Sequence, residues 1–141
     1  MHEKVVLRLV NSEIIKGYIK DFSECSDETE VEDPATGKVL SVKMESLKAI
    51  FFVKSFDGDP AYRESKRYGR MPEKKKRVYV RFKDRESLLG YIEGDNPWKK
   101  GFFLSKTSDG KKGFFLIPTD GESNNKRVFV VASSIEDIAF I

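Results

Sequence analysis

Two stretches decide the fold: KVVLRLVNSEIIKGYI at Lys4–Ile19 and RVYVRFKDRESLLGYI at Arg77–Ile92. Aligned without gaps, they are identical at six of sixteen positions, including the closing Gly-Tyr-Ile. Both alternate apolar and polar residues with the period of a half-buried strand, and turn-forming residues divide each stretch. Each stretch predicts a β-hairpin. Any two hairpins share such a pattern, but identities in the same order favour a duplication of one small unit.

A second match closes each half of the chain: VLSVKMESLKAIFFV at Val39–Val53 and RVFVVASSIEDIAFI at Arg127–Ile141. The spacing of apolar residues agrees, since Leu47, Ile50 and Val53 align with Ile135, Ile138 and Ile141. The offset between the halves grows from 73 residues in the first match to 88 in the second, so the second copy is 15 residues longer in its middle.

Each copy is expected to hold five short strands, bent at a glycine such as Gly17, with one helical turn at Met44–Leu47 before the last strand. That pattern is typical of an SH3-like or Sm-like barrel. The predicted fold is therefore all-β, with two tandem small barrels and a basic linker. Residues 1–56 form the first barrel, 57–73 the linker and 74–141 the second barrel. Units this small are marginal alone, so we expect them to pack together, with Phe51, Phe52 and Phe56 at their interface. The alternative is that these residues belong to the barrel core, which is favoured for Phe52 because its counterpart is Phe140.

The formal net charge of the chain is only +3, and it is unevenly distributed. Residues 1–53 carry 7 basic and 10 acidic side chains, whereas residues 54–75 carry 7 basic and 4 acidic ones. Cys25 is the only cysteine, so no internal disulfide can form. We find no signal peptide and no run of about 20 apolar residues. A cytoplasmic protein without membrane contact is the expectation.

Catalytic and metal chemistry have little support in the residue types present. His2 is the single histidine, and Cys25 lies in an acidic stretch that disfavours a thiolate. One histidine and one cysteine supply neither a nucleophile–base pair nor the usual zinc ligands. The acidic run Glu24–Asp33 lacks the spacing of a calcium loop and is interpreted as a solvated loop and strand face. We predict a non-enzymatic protein with no catalytic residues, metal or cofactor.

Basic and aromatic side chains alternate in the linker, and a second group stands in the longer middle of copy two. These candidate ligand- or partner-binding residues are Tyr62, Arg63, Lys66, Arg67, Tyr68, Arg70, Trp98, Lys99 and Lys100. Basic groups neutralise phosphates, aromatic faces stack on bases, and tryptophan is enriched at interface hot spots. The alternative is a solvated tether, with Trp98 closing a barrel mouth.

The segment FFVKSFDGDPAYRE at Phe51–Glu64 resembles an uncharacterised family of small bacterial Sm/SH3-like β-barrel domains, sometimes found beside PilZ or signalling modules. That resemblance implies a binding or adaptor module with a protein partner, in bacterial signalling or regulation. The stretch LVNSEIIKGYIKDF at Leu9–Phe22 is similar to the first motif of Sm-like proteins, especially the RNA chaperone Hfq. Ser12 stands where that family has glycine. KMESLKAI at Lys43–Ile50 loosely resembles the second Sm motif but contains no histidine.

Two alternative functions follow from these likenesses. RNA binding by an Sm-like surface is the first. The second is a PilZ-like cyclic-dinucleotide sensor, because Arg63 and Arg67 form an R-x-x-x-R like the loop that grips the dinucleotide. The second PilZ motif, Asp or Asn-x-Ser-x-x-Gly on a following strand, is missing from the sequence.

Overall fold

A computed structural model describes residues 3–54, 77–92, 112–118 and 125–140. These residues form ten β-strands and two 3-10 turns, with no α-helix among them. The all-β prediction is confirmed. Within these ranges there is accordingly no helix with the length and apolarity needed to span a membrane.

The strands follow the predicted segments closely. The first five are β1 Glu3–Leu9, β2 Ile14–Ile19, β3 Glu28–Glu32, β4 Val39–Lys43 and β5 Leu47–Val53, with a 3-10 turn at Met44–Ser46. The second five are β6 Arg77–Phe82, β7 Ser87–Ile92, β8 Gly113–Pro118, β9 Asn125–Val131 and β10 Ile135–Phe140, with a 3-10 turn at Ala132–Ser134.

All ten strands belong to one open antiparallel sheet, in the order β10-β6-β7-β8-β9-β5-β1-β2-β3-β4. The sequence predicted two tandem barrels packed together; in the structure the two halves share one sheet, because β5 pairs with β9 from Ala49↔Val130 to Val53↔Asn125. A strand edge presents unpaired N–H and C=O groups, and this pairing satisfies one edge from each half. The strand order on either side of the junction is the same.

Strand formation follows the alternation in the sequence. In β1, Val5 and Leu7 are fully buried, and in β6 Val78 and Val80 are fully buried, while the intervening side chains are partly exposed. One face of each strand therefore meets a core and the other faces outward. The apolar residues at every second position account for the core faces of both hairpins.

The two hairpin turns have the same geometry. Asn11 Oδ1 accepts a hydrogen bond from the backbone N–H two residues on at 2.9 Å, and Asp84 Oδ1 does the same at 3.0 Å. The next residue of each turn is left-handed, with φ of 75° at Ser12 and 78° at Arg85. Asx side chains favour such turns by replacing a backbone acceptor.

Gly17 explains how β2 meets β3. A Cβ atom added at Gly17 would collide with Val31 and with the backbone of Glu32, so only glycine permits this close approach. Tyr18 then pairs with Glu32, which continues the sheet from β2 into β3. The sequence predicted a bend at this glycine, and the structure shows a close approach of two strands there.

Two hydrophobic clusters form the core, and the paired strands β5 and β9 contribute to both. Ile50 and Phe52 join Phe129 in the first cluster, whereas Ala49 packs with Val128 in the second. Alternate residues of each strand point into opposite clusters, as the strand period requires. Phe51 and Phe52 pair with β9, as expected of interface residues; Phe56 lies outside the described residues.

Candidate functional site

The β3–β4 hairpin forms one end of the sheet. Its turn is held by Asp33, whose Oδ1 accepts from the backbone N–H of Ala35 at 2.7 Å and of Thr36 at 3.2 Å. Gly37 adopts φ of 73° and donates to the Asp33 carbonyl at 2.9 Å. Glycine suits this left-handed position, and the closed turn fixes the register of the two strands.

Alternation along β3 separates a core face from an acidic face. Thr29 and Val31 are buried, while Glu28 and Glu30 point outward. The register brings Ser41 opposite Glu30 and Lys43 opposite Glu28. The Ser41 hydroxyl also lies 2.8 Å from a carboxylate oxygen of Glu28, so it can donate to that carboxylate. The outward face of the hairpin thus presents a row of glutamates on β3, bordered by Val39, Ser41 and Lys43 of β4.

A groove of about 370 Å³ runs along this outward face. It is lined by Tyr18, Lys20, Asp21, Ser26, Glu28, Glu30, Glu32, Val39 and Ser41. Four of these residues are acidic and one is basic, which gives the lining a net charge of −3. Such a surface attracts cationic groups and repels phosphates.

The outer edge of β4 is exposed and apolar. Val39 is 62% exposed and Leu40 is 51% exposed. Among the described strands, β4 pairs only with β3, so its other edge has no strand partner in this part of the chain. Leu40 lies opposite the buried Val31, so it belongs to the core face of the hairpin although half of it meets solvent. We call the edge of Val39–Lys43 on the side away from β3 the β4 edge.

A second group of charged residues lies at the junction of the halves. Lys48 of β5 is 5% exposed, and its ammonium is 2.8 Å from Asp84 and 2.6 Å from Glu86. Arg8 reaches the same Glu86 oxygen at 3.2 Å. Burial acts to raise the pKa of Asp84, but hydrogen bonds from Lys48 and the Glu86 backbone, with the nearby charges, outweigh it and lower that pKa.

The chemistry of this junction group is structural. Both carboxylates are bound to Lys48, and the Lys48 ammonium lies 4.8 Å from the Phe82 ring centre. An ammonium held by two carboxylates and an aromatic face is a poor nucleophile. The group therefore fastens β5 to the β6–β7 turn.

A more exposed contact also joins the halves. The Lys112 ammonium lies 2.8 Å from Asp27, and the Lys112 backbone N–H donates to the Glu24 carbonyl at 2.6 Å. The hydrogen bond and positive charge of Lys112 lower the pKa of Asp27. This contact links the loop before β3 to the start of β8.

Comparison with known proteins identifies the family to which this chain belongs. Residues 1–141 match the model of a family of unknown function, DUF6982. The chain belongs to the DUF6982 family. No curated protein and no solved structure matches it. The resemblance to an uncharacterised family therefore agrees with this match.

The binding residues predicted for this DUF6982 chain lie outside the described residues. They are Tyr62, Arg63, Lys66, Arg67, Tyr68, Arg70, Trp98, Lys99 and Lys100. In the ranges that the structure covers, no three His, Cys, Asp or Glu side chains are grouped so as to hold a metal ion.

Sequence reasoning interpreted the acidic run of this DUF6982 chain as a solvated loop and strand face, which agrees with the exposed Glu28 and Glu30. It did not identify Val39 and Leu40 as surface residues. The only available signal was that Val39 and Leu40 are adjacent apolar residues, so alternation predicts that one of them faces outward.

Proposed function

We propose that this protein is a non-enzymatic binding module, an adaptor, and that its β4 edge is where a protein partner docks. The observation that carries the proposal is the exposed pair Val39 and Leu40 on a strand edge without a strand partner in the described part of the chain. Adding a strand to such an edge satisfies its backbone groups and buries its apolar side chains, which is a common mode of peptide recognition.

We also infer that the two halves are copies of one Sm/SH3-like unit, which makes β4 and β9 equivalent strands. The strand order β5-β1-β2-β3-β4 recurs as β10-β6-β7-β8-β9. Several backbone hydrogen bonds recur as well. Val10 donates to the Ser46 carbonyl at 2.9 Å, and Lys83 donates to the Ser134 carbonyl at 2.9 Å, at the offsets of 73 and 88 residues found in the sequence.

The equivalence of β4 and β9 indicates what would cover the β4 edge. At the offset of 88 residues, Leu40 corresponds to Val128. Val128 is fully buried because β5 lies against it, whereas Leu40 is 51% exposed. A partner strand on the β4 edge would do for Leu40 what β5 does for Val128.

RNA binding and cyclic-dinucleotide sensing stay predictions. The basic and aromatic residues that suggested them lie outside the described residues. The groove beside the β4 edge carries a net charge of −3, which opposes a phosphate backbone. A protein partner suits this surface better.

Selection of peptides from a displayed random library tests the proposal. Peptides that bind the whole chain should lose at least tenfold in affinity for Leu40→Lys, because the charge is placed where the strand would dock. Val10→Lys is the matched control, since Val10 is 56% exposed and lies in the β1–β2 turn. An empty selection, or peptides that bind Leu40→Lys and the wild type equally, would remove the β4 edge as a docking site.

A further inference from the structure

We propose that the partner of the β4 edge is an extended segment of a different protein in which apolar and basic residues alternate, and that it pairs antiparallel to β4. This inference rests on the proposed docking function and specifies its ligand. It comes from three features of the surface: the strand that covers β9, the two faces of the β3–β4 hairpin, and the charges at the opposite end of the sheet.

The covered strand β9 shows how a strand is accepted at this place in a half. β5 pairs with it antiparallel, with Ala49 opposite Val130 and Phe51 opposite Val128. Those apolar side chains pack in the cluster of the second half. By the equivalence of β4 and β9, a segment on β4 runs antiparallel and directs apolar residues toward Leu40 and Val42.

The core side of the β4 edge needs an apolar residue. Val42 is 6% exposed and Val31 is 1% exposed, yet Leu40, directly opposite Val31, is half exposed. Burying the exposed part of Leu40 favours binding, because it removes apolar surface from water. Every second residue of the partner should therefore be apolar, because residues two apart share one face of a strand.

The outward side of the same segment would lie beside Val39, Ser41 and Lys43, with Glu32, Glu30 and Glu28 one strand further in. Neighbouring strands are about 5 Å apart, so a lysine or arginine side chain spans β4 and approaches the carboxylates. The intervening residues of the partner that lie beside Val39 and Ser41, away from Lys43, should therefore be basic. Opposite charges on neighbouring strands favour pairing, and like charges oppose it.

A second copy of this chain does not meet that description. The strand at the other end of the sheet, β10, carries exposed Glu136 and Asp137. At the offset of 88 residues, Asp137 occupies the place of Ala49, so it would enter the apolar side of the β4 edge. Charged residues at such a position protect an edge from pairing. Pairing β4 with β4 of another copy would bring two acidic grooves together.

Fluorescence anisotropy with four labelled eight-residue peptides tests the chemistry. (Lys-Val)4 should bind the wild-type chain at low salt, and (Glu-Val)4 should bind at least tenfold more weakly. Two N-methylated forms of (Lys-Val)4, methylated on either the lysine or the valine amides, test the backbone pairing. Only one should lose binding, because alternate residues of a strand direct their N–H groups to the neighbour. Added salt should weaken the interaction.

Matched protein variants locate the charge. Glu30→Gln should weaken (Lys-Val)4 binding about threefold, as expected for an exposed charge pair. Glu136→Gln removes an exposed glutamate from the opposite end of the sheet and should leave the affinity unchanged.

The outcomes separate the two proposals. Equal binding of (Glu-Val)4 would overturn the basic partner but leave the docking site in place. If both N-methylated peptides bind as tightly as (Lys-Val)4, strand pairing is overturned. Failure of all peptides, together with an empty library selection, would remove the docking function itself. A dimer or larger assembly in light scattering that Glu136→Lys or Leu40→Lys dissociates would show that the occupant is a second copy.

Discussion

Strands β4 and β9 occupy matching places in the two halves but have opposite surroundings. Val128, Phe129 and Val130 of β9 are fully buried between β5 and β8, whereas Val39 and Leu40 of β4 are more than half exposed. Both strands are short, and both precede a 3-10 turn. What differs is the neighbour on one side.

The comparison teaches that burial in this sheet is set by position as much as by residue type. Phe129 faces the cluster of the first half, across the junction, while its counterpart at the offset of 88 residues is Ser41, which faces solvent. At that position the residue type matches its surroundings, with phenylalanine where the side chain is buried and serine where it is exposed. Leu40 does not match, because it is an apolar residue that is half exposed, and this mismatch makes the β4 edge a candidate site.

The largest effect is expected where β9 crosses into the first cluster. Phe129 is fully buried, with its ring centre 4.8 Å from that of Phe22 and 5.1 Å from that of Phe115. Phe129→Ala should lower the free energy of unfolding by about 3–5 kcal/mol, because a large cavity opens. Urea denaturation followed by fluorescence or circular dichroism measures it.

Ser41→Ala is the matched control on β4. It removes an exposed hydrogen bond to Glu28 and should change the free energy of unfolding by less than about 0.5 kcal/mol. Similar losses for the two variants would mean that β4 and β9 are equally covered, and would contradict the comparison.

The next effect comes from the ion pairs that hold β5 against the second half. Lys48→Ala removes a buried stem and the ammonium that Asp84 and Glu86 share. Glu86 keeps Arg8, and the side chains of Asp84 and Glu86 are 44% and 56% exposed, so water can solvate them. We expect a loss of about 2 kcal/mol, below the cost of stranding a fully buried charge. Thermal unfolding at constant pH measures it.

Arg8→Ala provides the control for Lys48→Ala. Arg8 reaches the same Glu86 oxygen, but its side chain is 41% exposed. Its loss should cost less than about 1 kcal/mol, as for other exposed pairs. If Arg8→Ala proved the more damaging change, the buried ammonium would not be the main fastener of the junction.

Much of this fold could be predicted from the sequence, because the information is local. The alternation in Lys4–Ile19 and Arg77–Ile92 predicts both hairpins, and Asn11 and Gly17 mark a turn and a close approach that the structure contains. The pairing of β5 with β9 could not be predicted. Strands of that composition suit either separate barrels or a joined sheet, and the choice depends on edges distant in sequence.

The candidate site could be predicted less well than the fold. The basic and aromatic residues favoured by the sequence lie outside the described residues, so that hypothesis stays a prediction. The exposure of Leu40 depends on the absence of a neighbouring strand from the described sheet, and no local pattern reports it. Alternation places one of Val39 and Leu40 on the core face, and that residue is Leu40, at the position that the buried Val128 holds in the second half.

A smaller effect isolates one hydrogen bond across the junction. The Ser134 hydroxyl is buried, 2.8 Å from the Lys48 carbonyl and 2.7 Å from the Val131 carbonyl. Among the described residues, the hydroxyl of its counterpart Ser46 donates to the Lys43 carbonyl alone, at 2.7 Å. Ser134→Ala should lower the free energy of unfolding by about 1 kcal/mol. Ser46→Ala should lower it by only a few tenths of that amount, because it removes no hydrogen bond across the junction. Equal costs in parallel urea titrations would contradict a distinct contribution from the junction.

The smallest expected effect is on the pH dependence of stability. In the unfolded chain Asp84 titrates near its ordinary pKa of 3.8, and in the folded chain Lys48 and the Glu86 backbone lower that pKa although burial opposes them. A lowered pKa means that the folded state holds the charged carboxylate more firmly. The resulting stabilisation is present above pH 3.8 and is lost as the pH falls through the folded value.

Asp84→Asn should remove that part of the acid sensitivity while keeping the turn, because Asn11 makes the same turn in the first half. Since the Asp84 side chain is 44% exposed, the difference between pH 7 and pH 3 should be below about 0.5 kcal/mol. Urea midpoints across that range measure it, with Asp27→Asn as the control for the second lowered carboxyl. Asn11→Asp in the first half should not create a matching acid sensitivity, because among the described residues no basic side chain is hydrogen-bonded to Asn11. A pH profile that responds equally to both turn changes would show that the effect belongs to the turn and not to the junction.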